Sequence, residues 1–492
     1  MPAGAFEEMH SPFRHLLAFF CFSACGLFNA FSAEKPNIVF ILADDLGYGD
    51  LQCYNPDGKI PTPHLDRLAR EGIRFTDAHS ASAVCTPTRY AILTGRYCWR
   101  SRLKKGVLGG WSPHLIEPDR VTVASFLQAQ GYVTACIGKW HLGMDWPAQE
   151  AGFGDAIEPA KSWEKIDFSR PVANGPLAAG FSEYFGISAS LDMPPYAFVR
   201  NDRLQGKLTA TRTYIRKGPA APDFAAENVL PRLAEESIRF IKTRAEDRKP
   251  FFLYLPLTSP HTPVAPSAAW QGKSAVGPYG DFVMETDATA GAVIDTLRTS
   301  GLAGNTLVFF TSDNGATPDN AATLTTRGAG HNPHRPWRGT KADIWEGGHR
   351  VPFIALWPGV TPPGTKCEEP VCLNTLLATA AELTQTGLPA GAAPDSYSIA
   401  PLLRGTSAAQ PTHPFIIHHS INGTFAIRQG QWKLIEGKSS GGWSKDKPVE
   451  TDGQLYDLSS DPGETQNLYA EKPEITAKLT AVLREARSKE GR

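Results

Sequence analysis

Short, continuous apolar runs recur along the chain at residues 36–42, 132–137, 250–255, 306–310 and 351–356, each bounded by polar residues. Runs of this length and composition predict strands buried on both faces of a parallel sheet. A weaker strand pattern covers 73–76. Helix-compatible stretches lie between them, at 62–72, 121–130, 230–244 and 281–297, and that alternation predicts an α/β domain with helices against a mixed, mostly parallel sheet. The acidic positions of the last helix, Asp281, Glu285 and Asp287, are expected to face solvent. Residues 144–231 are irregular and rich in proline, glycine and aromatics, which predicts long loops over the mouth of a site. Beyond His413 the pattern changes to short strands at 415–418, 424–428 and 432–435 and a final helix near 474–486, a small antiparallel α+β subdomain.

Polar clusters follow the carboxyl ends of the apolar runs. Asp44-Asp45 follows the first, Gly138-Lys139-Trp140-His141-Leu142-Gly143 ends the second, Ser259-Pro260-His261-Thr262-Pro263 closes the third, and Thr311-Ser312-Asp313-Asn314-Gly315 follows the fourth. Open α/β sheets bind ligands at those ends. Asp44, Asp45, Asp313 and Asn314 offer only oxygen ligands with three formal negative charges, a set that suits Ca²⁺, or Mg²⁺ in a tighter shell, rather than zinc. Lys139 and His141 lie two apart, so on an extended segment both would point to one face.

With 492 residues the chain exceeds one ordinary core. The expected division is an export segment at 1–33, a catalytic α/β domain at 34–408 and the C-terminal subdomain at 409–492. Arg14 and His15 precede an apolar stretch from 16 to 31, and Phe31-Ser32-Ala33 ends in residues a signal peptidase accepts, so cleavage is expected near Ala33 and export to a periplasm or the medium. That stretch is too short for a comfortable membrane span. Phe22, three before Cys25, makes a poor lipidation signal. A net charge of −1 gives no hint of a nucleic-acid partner. Cys53, Cys98, Cys136, Cys367 and Cys372 remain if the leader leaves and Cys85 is modified. Spacing alone leaves a Cys367–Cys372 pair open.

The remaining polar stretch, Cys85-Thr86-Pro87-Thr88-Arg89, runs on into Tyr90-Ala91-Ile92-Leu93-Thr94-Gly95-Arg96. Thr86 and Pro87 occupy positions expected for a helix cap and first helical residue, and Gly95 ends the helix. Cys85 is therefore expected at a helix N-terminus, where amide donors, the macrodipole and Arg89 would favour a thiolate, a hydrated aldehyde or a bound sulfate. The C-T-P-T-R stretch with its A-I-L-T-G-R tail resembles the signature of the type I, formylglycine-dependent sulfatases, in which this cysteine is oxidised to an aldehyde. Within that family the chain looks most like arylsulfatase A and N-acetylgalactosamine-6-sulfatase, and the resemblance extends to the Leu455-Tyr456-Asp457-Leu458 and Asp461-Pro462-Gly463-Glu464 stretches near the end.

The resemblance implies an alkaline-phosphatase-like sandwich and hydrolysis of a sulfate ester, from a sulfated saccharide or an aryl or glycolipid sulfate, after maturation by a formylglycine-generating enzyme. By the family pattern, position 85 with Asp44, Asp45, Asp313 and Asn314 binds Ca²⁺, Lys139 and Lys341 hold sulfate oxygens, and Arg89 polarises the nucleophile. His261 protonates the leaving group and His141 helps regenerate the aldehyde. Asp192, Tyr196 and Arg200, with His331, His334 and Arg335, are candidates for substrate selectivity. A phosphodiesterase or phosphonate hydrolase of the same superfamily would share this metal and nucleophile. A non-catalytic carbohydrate-binding protein would be expected to lose one of Cys85, Arg89 or the metal ligands, and all are present.

Overall fold

The computed structural model describes residues 35–147, 163–318, 329–406 and 410–489, so the expected export segment and its cleavage point lie outside the described residues. The first apolar run forms strand β1 (Asn37–Asp44), buried at every residue. Its side chains feed two cores in alternation: Ile38, Phe40 and Leu42 join one cluster, Val39, Ile41 and Ala43 the other. A strand with two apolar faces must be covered on both.

The other strands of the sheet and its flanks are β2 (Ile73–Phe75), β3 (Ala78–His79), β4 (Val133–Lys139), β5 (Glu183–Ile187), β6 (Val199–Arg200) and β7 (Arg203–Leu204), then β8 (Ala210–Thr213) and β9 (Lys217–Ala220). They continue with β10 (Phe251–Pro260), β11 (Thr306–Ser312), β12 (Phe353–Leu356), β13 (Thr365–Cys367) and β14 (Val371–Cys372). Ten of them line up as β13-β2-β12-β11-β1-β10-β4-β5-β6-β7. From β11 through β5 every neighbour is parallel, whereas β12 runs antiparallel to both β11 and β2. Helices α1 (Pro63–Glu71), α4 (Val229–Asp247) and α5 (Pro278–Thr299) cover the Val39 face, while α2 (Cys85–Thr94) and α3 (Val123–Ala129) cover the Phe40 face. The sandwich is the expected one.

The C-terminal strands β15 (Ile416–His419), β16 (Phe425–Gln429), β17 (Trp432–Ile435) and β18 (Gln454–Asp457) form an antiparallel sheet in that order. β18 adds a strand to the three expected. The Pro473–Ser488 helix covers the sheet through Leu479 and Leu483, and the same cluster takes in Ala91, Tyr97 and Trp99 from α2 and the turn after it. The C-terminal sheet thus buttresses the helix that begins at Cys85.

Two expectations are corrected here, and one open question is answered. Residues 144–231 include strands as well as loops: β5 joins the main sheet in register with β4, from Ala135 opposite Glu183 to Lys139 opposite Ile187. A five-residue strand containing Gly186 gives little pattern, and glycine is needed there because a Cβ would meet the Gly138 carbonyl at 1.7 Å. Asp281, Glu285 and Asp287 are buried, not solvated. Asp281 accepts from the Gly272 and Ser274 amides, Glu285 from Ser267, and Asp287 from His64 and Leu65 at the start of α1. Finally, Cys367 and Cys372 are unpaired, as are all the described cysteines. No helix among the described residues is long and apolar enough to cross a membrane.

Candidate active site

Four elements deliver the polar clusters to one place. β1 ends in Asp44, β11 leads into Asp313 and Asn314, β4 ends in Lys139, and β10 leads to His261. β1 lies between β11 and β10: regular parallel pairing with β11 sets Ala43 opposite Ser312, a shift in the β10 ladder after Leu42 sets Asp44 opposite Pro260, and the residues that follow converge. Asp45 turns away from the strand in a left-handed conformation at φ 64°. Its amide donates to Asp313 Oδ1 at 3.2 Å, and the Asn314 amide donates to its Oδ1 at 2.7 Å.

Cations interleave with these carboxylates. Lys139 Nζ lies 2.7 Å from Asp44 Oδ2, and Lys341 Nζ 2.6 Å from Asp45 Oδ1. Arg89 donates from Nε and Nη2 to Asp313 Oδ2, at 3.0 and 2.7 Å, and from Nη1 to the Lys139 carbonyl. All of these side chains are buried. Three acids against three cations leave the cluster electrically balanced. Burial works against the Asp44 carboxylate, but Lys139, His261, Arg89 and Lys341 outweigh it and hold its pKa well below the usual range. Asp313 is pushed up to about 6, by burial and then by the Asp44 charge, with Arg89 opposing. One more positive charge among these oxygens would relieve that crowding.

Cys85 is the first residue of α2, and Val84, not Thr86, is the cap. Thr86 instead donates its hydroxyl to the His141 carbonyl at 3.0 Å. The expected thiolate is not favoured: burial raises the thiol to about 12 despite Lys139 and Lys341, so an unmodified Cys85 stays protonated. Ligand atoms of Asp44, Asp45, Cys85 and His261 lie within 4.8 Å of one another, a group able to hold a divalent cation. Asp44 Oδ1 and Asn314 Oδ1 are buried without a hydrogen-bond partner. Hard oxygens left unsatisfied in this way fit the donor set of such an ion.

His141 does not sit on an extended segment with Lys139, for its φ is 56° and Gly138 before it stands at 143°. A Cβ at 138 would meet the Pro256 carbonyl at 1.9 Å, so only glycine lets the chain turn there. His141 Nε2 donates to the Leu108 carbonyl at 2.7 Å, which leaves Nδ1 as a buried atom without a partner. Burial, Lys139 and Arg89 hold its pKa well below the ordinary value, so the ring is neutral. His261 donates from Nδ1 to the Thr262 carbonyl at 2.5 Å and turns Nε2 toward Asp45 Oδ2 at 3.6 Å.

Lys341 is clamped through its backbone: its amide donates to the Ala316 carbonyl, and that of Ala342 to Ala83, two residues before Cys85. Glu346, five residues on, pairs with the buried Lys433 at 3.0 Å, and Lys433 pairs with Glu464 at 2.8 Å. The Asp461–Glu464 stretch near the chain end therefore anchors the Lys341 loop.

The selectivity candidates are not brought together. Tyr196 is buried with its hydroxyl at the Asp192 and Arg216 carbonyls, the Asp192 carboxylate pairs with Arg216, and Arg200 pairs with Glu236 on α4. His331 is buried between Asp50 Oδ1 and the Lys59 amide, His334 is buried beside it, and Arg335 reaches the exposed Asp57. Leu108 had no sequence signal, because it acts through its carbonyl.

The profile of the sulfatase family matches residues 36–386, which span every one of these strand ends. The chain belongs to that family. An N-acetylgalactosamine-6-O-sulfatase of Bacteroides thetaiotaomicron is 33% identical over 94% of this chain and 95% of its own length. Arylsulfatase A of Bos taurus is 34% identical over 90% of this chain and 85% of its own. A solved Bacteroides thetaiotaomicron structure, from work on the metabolism of multiple glycosaminoglycans, superposes with a TM-score of 0.80 at 32% identity, covering 93% of this chain and 100% of that one. This sulfatase is accordingly an enzyme of sulfuric-ester hydrolysis with a formylglycine-type active site and an Asp/His cluster suited to a divalent cation.

Proposed function

We propose that this sulfatase is an exported enzyme that removes sulfate from a sulfated carbohydrate, with Ca²⁺ held by Asp44, Asp45, Asp313, Asn314 and the modified residue 85. The observation that carries the reading is the convergence of two buried ammonium groups, Lys139 and Lys341, on the two aspartates beside Cys85. Similarity to an N-acetylgalactosamine-6-O-sulfatase over nearly the full length of both chains supports a sugar as the sulfate carrier.

Ca²⁺ held by these residues would supply positive charge beside the substrate sulfate. Of the two hydroxyls on the hydrated aldehyde at 85, one attacks sulfur as the bond from sulfur to the sugar oxygen breaks, and the other stays on the carbon. Because the cluster is balanced beforehand, a divalent cation in it would make the site net positive and suited to an anion. Lys139 and Lys341, already desolvated, swing between carboxylate and sulfate oxygens at little cost in reorganisation. His261 turns the nitrogen not held by Thr262 toward the reacting group and gives its proton to the departing sugar oxygen. The buried histidine has a lowered pKa, from burial and then Lys341, and an arriving anion raises it toward the protonated form this step needs. His141, neutral with a free Nδ1, takes the proton from the remaining hydroxyl as sulfate leaves. Arg89, enclosed by Asp313 and Lys139, is a positioning residue for the carboxylates.

The test is sulfate release from N-acetylgalactosamine-6-sulfate saccharides by protein from its own host, with peptide mass spectrometry across residue 85. Aldehyde at 85 with turnover of the sugar sulfate supports the reading. Faster turnover of a matched aryl phosphate diester than of the aryl sulfate would replace it with a phosphodiesterase.

A further inference from the structure

A second groove opens where the turn after α2 meets the C-terminal sheet and the Pro473–Ser488 helix, with a volume of about 940 Å³. It is at the upper end of the size of small-molecule sites, more than one sugar ring requires. Six of its lining side chains are cationic, Arg96, Arg100, Lys104, Lys105, Arg484 and Arg487, and one, Glu436, is acidic. The whole chain has a net charge of −1, so this surface is a local concentration and not a reflection of overall composition.

Half of those cations are built into the wall. Arg96 pairs with Glu117, Arg100 with Asp395 and Arg487 with Glu436. Two of them also lie over aromatic rings, Arg100 at 4.2 Å from the centre of Trp99 and Arg487 at 4.1 Å from that of Phe425, which fixes their planes without further loss of freedom. Lys104 donates only to the Trp99 carbonyl, and the exposed Lys105 and Arg484 have no acidic partner among the described residues. Three charges thus face the groove uncompensated.

The groove walls belong to the segments that hold the active site. Gly106, after Lys105, donates to the Ile421 carbonyl, and the Ile421 amide donates to Ala342, the neighbour of Lys341. Two residues past Gly106, the Leu108 carbonyl holds His141. We infer that this groove binds the anionic chain of a polymeric sulfated or uronate-bearing polysaccharide, beyond the sugar whose sulfate is removed. The inference rests on the sulfated-carbohydrate reading. A linear polyanion matches a groove of this volume with several cations in its lining, and walls tied by backbone hydrogen bonds to the Lys341 and His141 segments give it a reason to be there.

Fluorescence-polarisation binding of labelled chondroitin sulfate di- and decasaccharides tests this, with wild type, a K104E/K105E/R484E variant and a neutral K104Q/K105Q/R484Q variant. None of these residues belongs to the active site, so turnover of an aryl sulfate should stay within about twofold and report folding. The decasaccharide should bind wild type more tightly than the disaccharide, weakening with salt, and the charge-reversed variant should lose at least about tenfold of that affinity, from three ion pairs of modest strength. Disaccharide affinity should be unchanged. Equal decasaccharide binding by all three proteins, or stronger binding of duplex DNA of the same charge, overturns the proposal. Groove-dependent decasaccharide binding with no sulfate released from any saccharide would leave the groove standing and remove the substrate reading; sulfate release from saccharides with decasaccharide binding equal in all three proteins would do the reverse.

Discussion

Asn314 donates its amide to Asp45 and to the Gly315 carbonyl, and its oxygen, buried in the centre of the site, accepts nothing. An unsatisfied carbonyl among three carboxylates is costly unless an ion uses it. Stripping the enzyme with a calcium chelator is therefore expected to lower Tm, with Ca²⁺ restoring it at lower concentration than Mg²⁺. Asn314→Ala should raise the Ca²⁺ concentration needed by at least roughly tenfold; a calorimetric titration reads both. His141 bears on turnover instead. His141→Ala should reduce kcat by roughly 10²–10⁴-fold, the usual worth of a positioned proton acceptor, with KM for the sulfate ester changed far less. The two-residue spacing of Lys139 and His141 hinted at a shared site, but the positive φ at 141 and the Leu108 carbonyl that fixes the ring tautomer are backbone features with no side-chain signature. Cys85 shows the same limit from the other side: its place at the head of α2 was legible, while the burial that keeps its thiol protonated comes from packing across the whole fold.

At the scale of elements, α5 shows why buried acids escape a periodicity reading. Its carboxylates look like a solvated stripe, yet each accepts from backbone amides of a neighbouring segment. Asp287 in particular takes the first amides of α1, whose own cap position, Thr62, makes no side-chain capping bond. Asp287→Ala is expected to cost about 1–2 kcal/mol, as the loss of a helix cap does, seen as a lower denaturant midpoint with unchanged slope. The central strands were legible because a run apolar on both faces has one good location, the middle of a covered sheet. β5 and β18 were not, since four or five residues carry too little pattern and their partners, β4 and β17, lie 44 residues or fewer away by routes no local rule specifies.

Across the whole molecule the buried histidines dominate the response to acid. Burial pushes His413 down to about 3 and His334 and His419 to about 4, and it holds His141, His349 and His418 well below the ordinary value, with His261 lowered as well. His418 is stacked on His349 with ring centres 3.7 Å apart, and neither of its ring nitrogens has a hydrogen-bond partner. In the unfolded chain all seven take up protons near pH 6.5. Between pH 6.5 and 4 the unfolded state therefore binds protons that the folded state refuses, and stability falls as pH falls. Among the described residues four acids act the other way: Asp287 and Asp313 are raised to about 6, Glu464 to about 7, and Glu285 is raised, so each gains a proton in the fold before it does when unfolded. They are fewer, and a bound cation removes Asp313 from the set. Below pH 4 the depressed carboxylates Asp44, Asp77 and Glu346 add their own loss. Each net proton costs about 1.4 kcal/mol per pH unit. Tm measured calorimetrically in Ca²⁺ should accordingly drop continuously from pH 6.5 to 4, with net proton uptake on unfolding, and His418→Phe should flatten that slope by about one proton. A Tm independent of pH over this range would mean that the folded protein admits water and protons to these rings.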